Sequence, residues 1–412
     1  MPILLSNIIP FTKRMWVRIA AIAGLALVAV ALTGVVGPLL PSWLTVWVGQ
    51  GAVDELLGVM ANSMLAAIVF TLSVMVTVHR AVGGMWTPRA HRLMVRDNVT
   101  LTAVAVFIGG WIFALTGVAV RGAGLIAKDD SAILFLMTLL VLLLLIVVLV
   151  RWAVHLTSLG SLEETGELIE RAAREAIETW SRHPGLGGRV LGPDVAIQPG
   201  HVPVRAEVTG WVAEIRVAAL AETAEGTPVY VTVPPGRFVS RGAVIGFAPE
   251  EMAEAVVAAV HIAELRDHAQ DPRFGIVTLS EVAQRALSPG VNDPGTAVEI
   301  VGRLLRAMLE WGQVDAEPAE HPEIFVAPVS MAGCVEDAFT RIARDGAGHV
   351  EVMQHVLRAL YRLAEHPDPE IAAAARREAG IALRRAERKL EEGTDFERLR
   401  DAVAPAAAAP AA

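Results

Sequence analysis

Four apolar runs, followed by an abrupt change of period, organise this chain. Residues Met15–Val36, 56–78, 101–120 and 131–150 each reach the ~20 residues that a helix needs to cross a bilayer. Residues 157–180 then set Leu159, Leu162, Ile169, Ala173, Ile177 and Trp180 against Glu163, Glu164, Glu167 and Arg171, which predicts an amphipathic connecting helix. His183-Pro184-Gly185 and the glycines through Gly192 break that period and read as a linker. Residues 195–248 alternate in short strands between Pro/Gly turns, the pattern of a small barrel or sandwich. From Glu250 the period is helical again, over residues 250–268, 272–287, 294–312, 330–344, 349–365 and 369–392, with Ile324-Phe325-Val326 as one further strand. The Ala/Pro run from Ala402 is expected to be disordered.

The fold expected is a membrane α-helical bundle of four spans, followed by a cytoplasmic α+β domain with a small β-barrel-like module and a helical C-terminal part. Residues 1–156 form the membrane domain, 157–193 the connecting helix and linker, 194–249 the β module, 250–401 the helical domain and 402–412 the tail.

Charge supports this division and gives it a direction. The chain has 412 residues, 54% of them hydrophobic, and a mean hydropathy of +0.49. Up to Leu159 there are 10 Lys and Arg against 5 Asp and Glu; beyond it there are 25 against 39. A basic apolar part joined to an acidic polar part reads as membrane domain plus soluble domain. Lys13, Arg14 and Arg18 precede the first span, Arg80, Arg89, Arg92 and Arg96 fill the connection between the second and third, and Arg151 follows the fourth. By the positive-inside rule both termini face the cytoplasm of a bacterial inner membrane. The acidic half excludes nucleic acid as a partner, since that needs a positive surface. Cys334 is the single cysteine, so no internal disulfide forms, and it reads as a buried structural thiol in a reducing compartment.

Within the membrane half the second span stands out. Gly58, Asn62, Ala66, Val69, Ser73, Thr77, Arg80 and Gly84 share one helical sector. Small and weakly polar residues in that arrangement serve helix packing, the preferred reading, or line a pore. No Asp, Glu, Lys or His lies deep in any span, which disfavours proton- or ion-coupled transport. The juxtamembrane arginines Arg80, Arg89, Arg92 and Arg96 act as an orientation signal against anionic headgroups, or as a docking surface for the acidic half.

In the soluble half, residues 271–296 concentrate special backbone chemistry. Asp271-Pro272 and Asp293-Pro294 each read as N-cap and first helical residue, and Ser288-Pro289-Gly290 ends the helix between them. Were the two helix starts to lie side by side, Asp271, Arg273, Arg285, Asn292, Asp293 and Thr296 would form an anion site of exposed amides and arginine forks. The plainer reading is two caps. His261, Glu264 and His268 share a face if residues 250–268 are one helix, yet solvation is the better reading and no metal is assigned. Val208-Thr209-Gly210-Trp211-Val212 with Pro235-Gly236-Arg237-Phe238-Val239 looks like a biotinyl/lipoyl-type half-barrel. No lysine lies between Lys128 and Lys389 to carry a swinging arm, so no cofactor is expected.

Three segments carry a wider resemblance: FTLSVMVTVHRAVGGMWTPRAHRLMVRD, the VTGWV and PPGRFVSRG pair, and QDPRFGIVTLSEVAQRALSPGVNDPGTA, joined by AFTRIARDGAGHVEVMQHVLRAL. Through them the chain resembles the bacterial membrane proteins grouped as domain of unknown function 2254. The resemblance implies an integral inner-membrane protein and supplies no catalytic residues. Three functions stay in view: an oligomeric conduit or membrane sensor with a cytoplasmic regulatory domain, a membrane-anchored module or enzyme that binds an anion or nucleotide, and a scaffold for cytosolic partners. GxSxG, HExxH, Walker A and CxxC signatures are missing, which weighs against the common hydrolases.

Overall fold

The computed structural model describes residues 15–36, 51–85, 87, 89, 98–124, 132–156, 162–390 and 393–407. The chain divides into two compact units, Met1–Gly84 with Met94–Glu164, and Met85–Leu93 with Thr165–Ala412.

The first unit is helical: α1 (Met15–Val36), α2 (Ala52–Met85), α3 (Asn98–Gly122) and α4 (Ala132–Leu156). Three described stretches are long and apolar enough to cross a membrane: Ala52–Val78, Val99–Gly122 and Ala132–Leu156. In α1 the described apolar stretch is shorter, Trp16–Ala29. Three glycines let α3 serve as the hub. A Cβ added at Gly109 would come within 2.7 Å of Ile22 on α1, one at Gly110 within 2.8 Å of Leu145 on α4, and one at Gly117 within 2.8 Å of Leu57 on α2. Lipid tails give helices no hydrophobic reason to associate, so close backbone approach of this kind has to supply the packing energy. Around these contacts Leu57, Phe107, Phe113, Leu134, Val141 and Trp152 form a core, with the Trp152 ring edge-on to Phe70 and Phe107. At the ends, Asp54 pairs with Arg121, and Arg18 donates to Thr102 of α3 rather than reaching outward for solvent. On α4, Leu136, Leu140, Leu143, Val147 and Val150 stay exposed on this chain.

The second unit begins with α5 (Leu162–Arg182), followed by β1 (Gly188–Val190), β2 (Val202–Arg205), β3 (Gly210–Ile215), α6 (Val217–Ala224), β4 (Val229–Val231), β5 (Phe238–Val239), β6 (Val244–Ala248), α7 (Ala253–Ala259) and β7 (Val260–Ala263). A helical part follows: α8 (Pro272–Ala286), α9 (Pro294–Leu309), then β8 (His321–Val326), α10 (Met331–Asp345), α11 (Val350–Leu363), α12 (Pro369–Lys389) and α13 (Gly393–Ala407). The strands lie in two open sheets, ordered β1-β8-β4-β6-β2 and β5-β3-β7, and not in a closed half-barrel. One core joins them through Val204, Val212, Ile215, Val231, Ile245, Val256, Ile324 and Val326.

Several expectations change here for non-local reasons. The stretch read as linker contains β1, because β8 offers it a parallel partner from more than a hundred residues away. β8 also pairs with β4, so the helical part completes the sheet of the β module. Residues 260–263 are strand, not helix, because they pair with β3; this places His261 on a strand and Glu264 and His268 beyond it, not on one helical face. The segment from Ala402 is helical to Ala407: Leu399 and Val403 are buried one turn apart on α13, which packs on α11, and alanine propagates the helix.

One buried histidine fastens the helical part. The Asp368 N–H donates to Nδ1 of His366 at 3.0 Å, so Nε2 carries the proton and donates to the Trp311 carbonyl at 3.1 Å. Burial lowers the pKa of His366. Its neutral form therefore contributes stability above the ordinary value near ~6.5, and that contribution is lost as pH falls toward the lower folded value. His366→Gln is expected to cost ~1 kcal/mol and to flatten the decline of melting temperature below neutral pH; an unchanged pH profile would contradict this role.

Candidate functional site

The Asp-Pro pairs do start helices, and for the reason the sequence suggests. Asp271 precedes α8 and accepts from the Arg273 N–H at 3.1 Å, while Asp293 precedes α9 and accepts from the Thr296 N–H at 3.1 Å and from the Thr296 hydroxyl. Between them a hydrogen-bonded tip reverses the chain. Val291 and Asn292 N–H groups donate to the Ser288 carbonyl at 3.0 and 2.9 Å, Asn292 is left-handed at φ 51°, and the Asp293 N–H closes on the Ala286 carbonyl at 2.8 Å. The closure makes α8 and α9 a hairpin. Asp293 thus sits at the end of α8, and Asp271 at its start, a helix length of ~22 Å away. Asp271 and Arg273 are together at one end; Arg285, Asn292, Asp293 and Thr296 are together at the other.

At the first end Asp271 is buried and held by more than its cap. Arg266 forks onto both carboxylate oxygens, its Nη2 at 3.1 Å from Oδ1. The guanidinium carbon lies 5.2 Å from the Trp211 ring centre and 5.6 Å from that of Phe274. Gly236, at φ 79°, backs onto the carboxylate, where a Cβ would fall 2.1 Å from an oxygen. Burial raises the Asp271 pKa against the pull of Arg266 and Arg273. Arg273 itself forks onto Asp337 of α10, at 2.9 and 2.7 Å, and covers Gly333. Beside it Cys334 is fully buried, and burial drives the thiol pKa up, away from nucleophilic chemistry. Gln270 ties this end to β3 through both the N–H and the carbonyl of Ile215.

At the second end the Thr296 hydroxyl and N–H lower the Asp293 pKa, and Asn292 and Val291 are exposed. Arg285 occupies the last turn of α8, where its carbonyl accepts from Ser288.

The strongest polar construction lies at residues that the sequence reading did not single out. Glu170 on α5 is buried and accepts from Arg303 at 3.0 Å and from Arg306 at 2.8 and 2.9 Å, both on α9; Arg303 also forks onto Glu299. Burial opposes ionisation of Glu170, but Arg306 and then Arg303 outweigh it and hold the pKa below the usual value. Gly166 makes room for Arg303, as a Cβ there would lie 2.9 Å from its Nε. About two turns further along α5, Gly275 of α8 lies against Ala173, where a Cβ would fall within 2.6 Å. The Trp180 indole then donates to the Gln270 carbonyl at 2.7 Å. A signal for Glu170 was present: it interrupts the apolar face of α5, three residues before Ala173 and seven before Ile177.

One arginine of the connection after α2 joins the same platform. Arg89 pairs with Glu281, which lies midway along α8, and both side chains are partly buried. Burial raises the Glu281 pKa, with Arg89 and Arg341 pulling the other way. Arg80 is exposed on α2, and Arg92 and Arg96 lie outside the described residues. On α2 the stripe residues Asn62, Ala66, Ser73 and Thr77 are exposed, with Gly58 partly so. Ser73 and Thr77 bond back to the carbonyls of Val69 and Ser73.

Comparison with known proteins finds relatives and a family for this sequence. The chain is 27% identical over 214 residues to an uncharacterised protein of Mycobacterium bovis, and equally to one of Mycobacterium tuberculosis. The match covers 47% of this chain and 41% of each relative, so the chain spans less than half the length of those relatives. No solved structure matches. The model of one family covers residues 12–362, taking in both the apolar helices and the α8–α9 hairpin, and the chain belongs to that family, the predicted membrane proteins DUF2254.

Proposed function

We propose that this membrane protein is an oligomeric, channel-like sensor whose soluble half regulates the membrane half. In this reading α1 is a fourth crossing, both termini face the cytoplasm, and the bilayer is the bacterial inner membrane. The observation that carries it is the convergence of two connectors on one hairpin. Arg89, four residues beyond the end of α2, is fastened to α8 through Glu281. The helix α5, which follows α4 in sequence, is fastened to α8 and α9 through Gly275 and through Glu170 with Arg303 and Arg306. A shift of the hairpin pulls on both connectors at once, as a coupling element must.

The exposed stripe of α2 supports an assembly of several copies. The chain's own packing uses the face bearing Val53, Leu57, Met60, Met64 and Thr71, and leaves Asn62, Ala66, Ser73 and Thr77 available to a lumen or to a second copy. Recordings from protein reconstituted into planar bilayers test the proposal. Discrete conductance under tension or voltage is expected, reduced at least tenfold in the double variant Asn62→Leu/Ser73→Leu. A bilayer that stays tight with correctly inserted wild-type protein overturns it. The anion- or nucleotide-binding alternative has less support, because Asp271, Arg273, Asp293 and Thr296 already satisfy one another or near neighbours. A scaffold role draws only on the acidic surface.

A further inference from the structure

We propose that the tip formed by β3 and β5 is a binding surface for anionic lipid headgroups at a bilayer interface. The tip joins two features that are costly to leave in water together. Val208 and Phe238 are each 52% exposed, and Leu265, which follows β7 next to β3, is 62% exposed. Arg205, Arg237 and Arg241 are exposed around them, and none of the three pairs with a carboxylate among the described residues. Their setting is otherwise acidic: beyond Leu159 the chain carries 39 Asp and Glu against 25 Lys and Arg. Glu207 and Glu264 are exposed acids at the tip, and Glu214 is exposed further along β3, where it lies near Arg216.

The construction is firm. Trp211 pairs with Phe238 across β3 and β5, their rings 5.2 Å apart and edge-on. The Arg241 N–H donates to the Thr209 hydroxyl at 2.9 Å, and Arg205 donates to the Gly242 carbonyl at 2.8 Å, which fixes the loops that carry the arginines. A soluble anion would use the arginines and leave Phe238, Val208 and Leu265 in water. A bilayer surface uses both, taking the rings and aliphatic groups at headgroup depth and the guanidinium groups at lipid phosphates. Since the chain is a membrane protein, such a surface is always at hand. The inference does not depend on channel activity.

Amide hydrogen exchange on the full chain, in phosphatidylcholine nanodiscs with and without phosphatidylglycerol, tests the proposal. Residues 205–212 and 236–242 are expected to exchange more slowly with phosphatidylglycerol present, each arginine contributing about fivefold to the partitioning. Arg237→Gln/Arg241→Gln is expected to remove the lipid-dependent slowing, and Phe238→Ser to weaken it, with exchange in α8–α12 unchanged as the control on folding. Equal exchange in both lipids overturns the proposal. Slowing that follows protein concentration instead of lipid also overturns it, and assigns the tip to a contact between copies.

Discussion

Asp271→Ala is expected to be the most damaging single substitution in the second unit, costing ~4 kcal/mol. About 1 kcal/mol follows from the lost cap on α8, and about 3 kcal/mol from leaving Arg266 charged and largely buried without its carboxylate. The side chain of Arg266 is 11% exposed and faces Trp211 and Phe274, so water cannot take over the role of Asp271. Asp271→Asn keeps the cap and loses the charge pairing, and should fall between wild type and alanine. Replacing both partners, Asp271→Ala/Arg266→Met, should recover part of the loss, because the apolar walls that make the lone arginine costly would accept methionine. Thermal and urea unfolding of wild type, Asp271→Ala, Arg266→Met and the double variant, read by tryptophan fluorescence, give the cycle. A cost below ~1 kcal/mol for Asp271→Ala, or additivity in the double variant, would mean that the carboxylate does no more than cap.

That cycle also separates what the sequence carries from what only the fold supplies. Both Asp-Pro caps were legible because a cap is local: Asp, Pro and the recipient N–H lie within a few residues of one another. The division into apolar helices and a polar α+β unit was legible because hydropathy is summed over twenty residues and tolerates errors. Arg266 was not legible. It lies between β7 and α8 with no periodicity around it, and its meaning comes from Trp211 and Phe274, which other elements bring alongside. The separation of the six residues 271–296 into two groups was hidden for the same reason. Two helix starts can face one another or lie at opposite ends, and the choice is made by the Asp293 N–H closing on Ala286. Strands β1 and β8 depended on each other across the chain, so neither segment alone announced a parallel pair.

Glu170→Ala is expected to destabilise the second unit by ~3 kcal/mol, the lower end of the cost of breaking a buried ion pair. Arg306 is 57% exposed and can return to water, and Arg303 keeps Glu299; what remains is an arginine 8% exposed, short of one of its two acceptors. The pH dependence has a definite sign. Because the folded pKa of Glu170 is below the ordinary carboxylate value, its contribution is fully present above that value and is lost as pH falls through the folded one. The melting temperatures of wild type and Glu170→Ala should therefore converge in acid and separate toward neutrality. Glu170→Gln keeps the volume and removes the charge, and so isolates the coupling role. If α5 transmits changes in the α8–α9 hairpin, Glu170→Gln should loosen the regulation of conductance while the stripe variant Asn62→Leu/Ser73→Leu lowers conductance itself. A Glu170→Gln protein as stable and as well regulated as wild type would show that α5 is held by Gly275 and Trp180 alone, and the buried charges would then be dispensable to both fold and coupling.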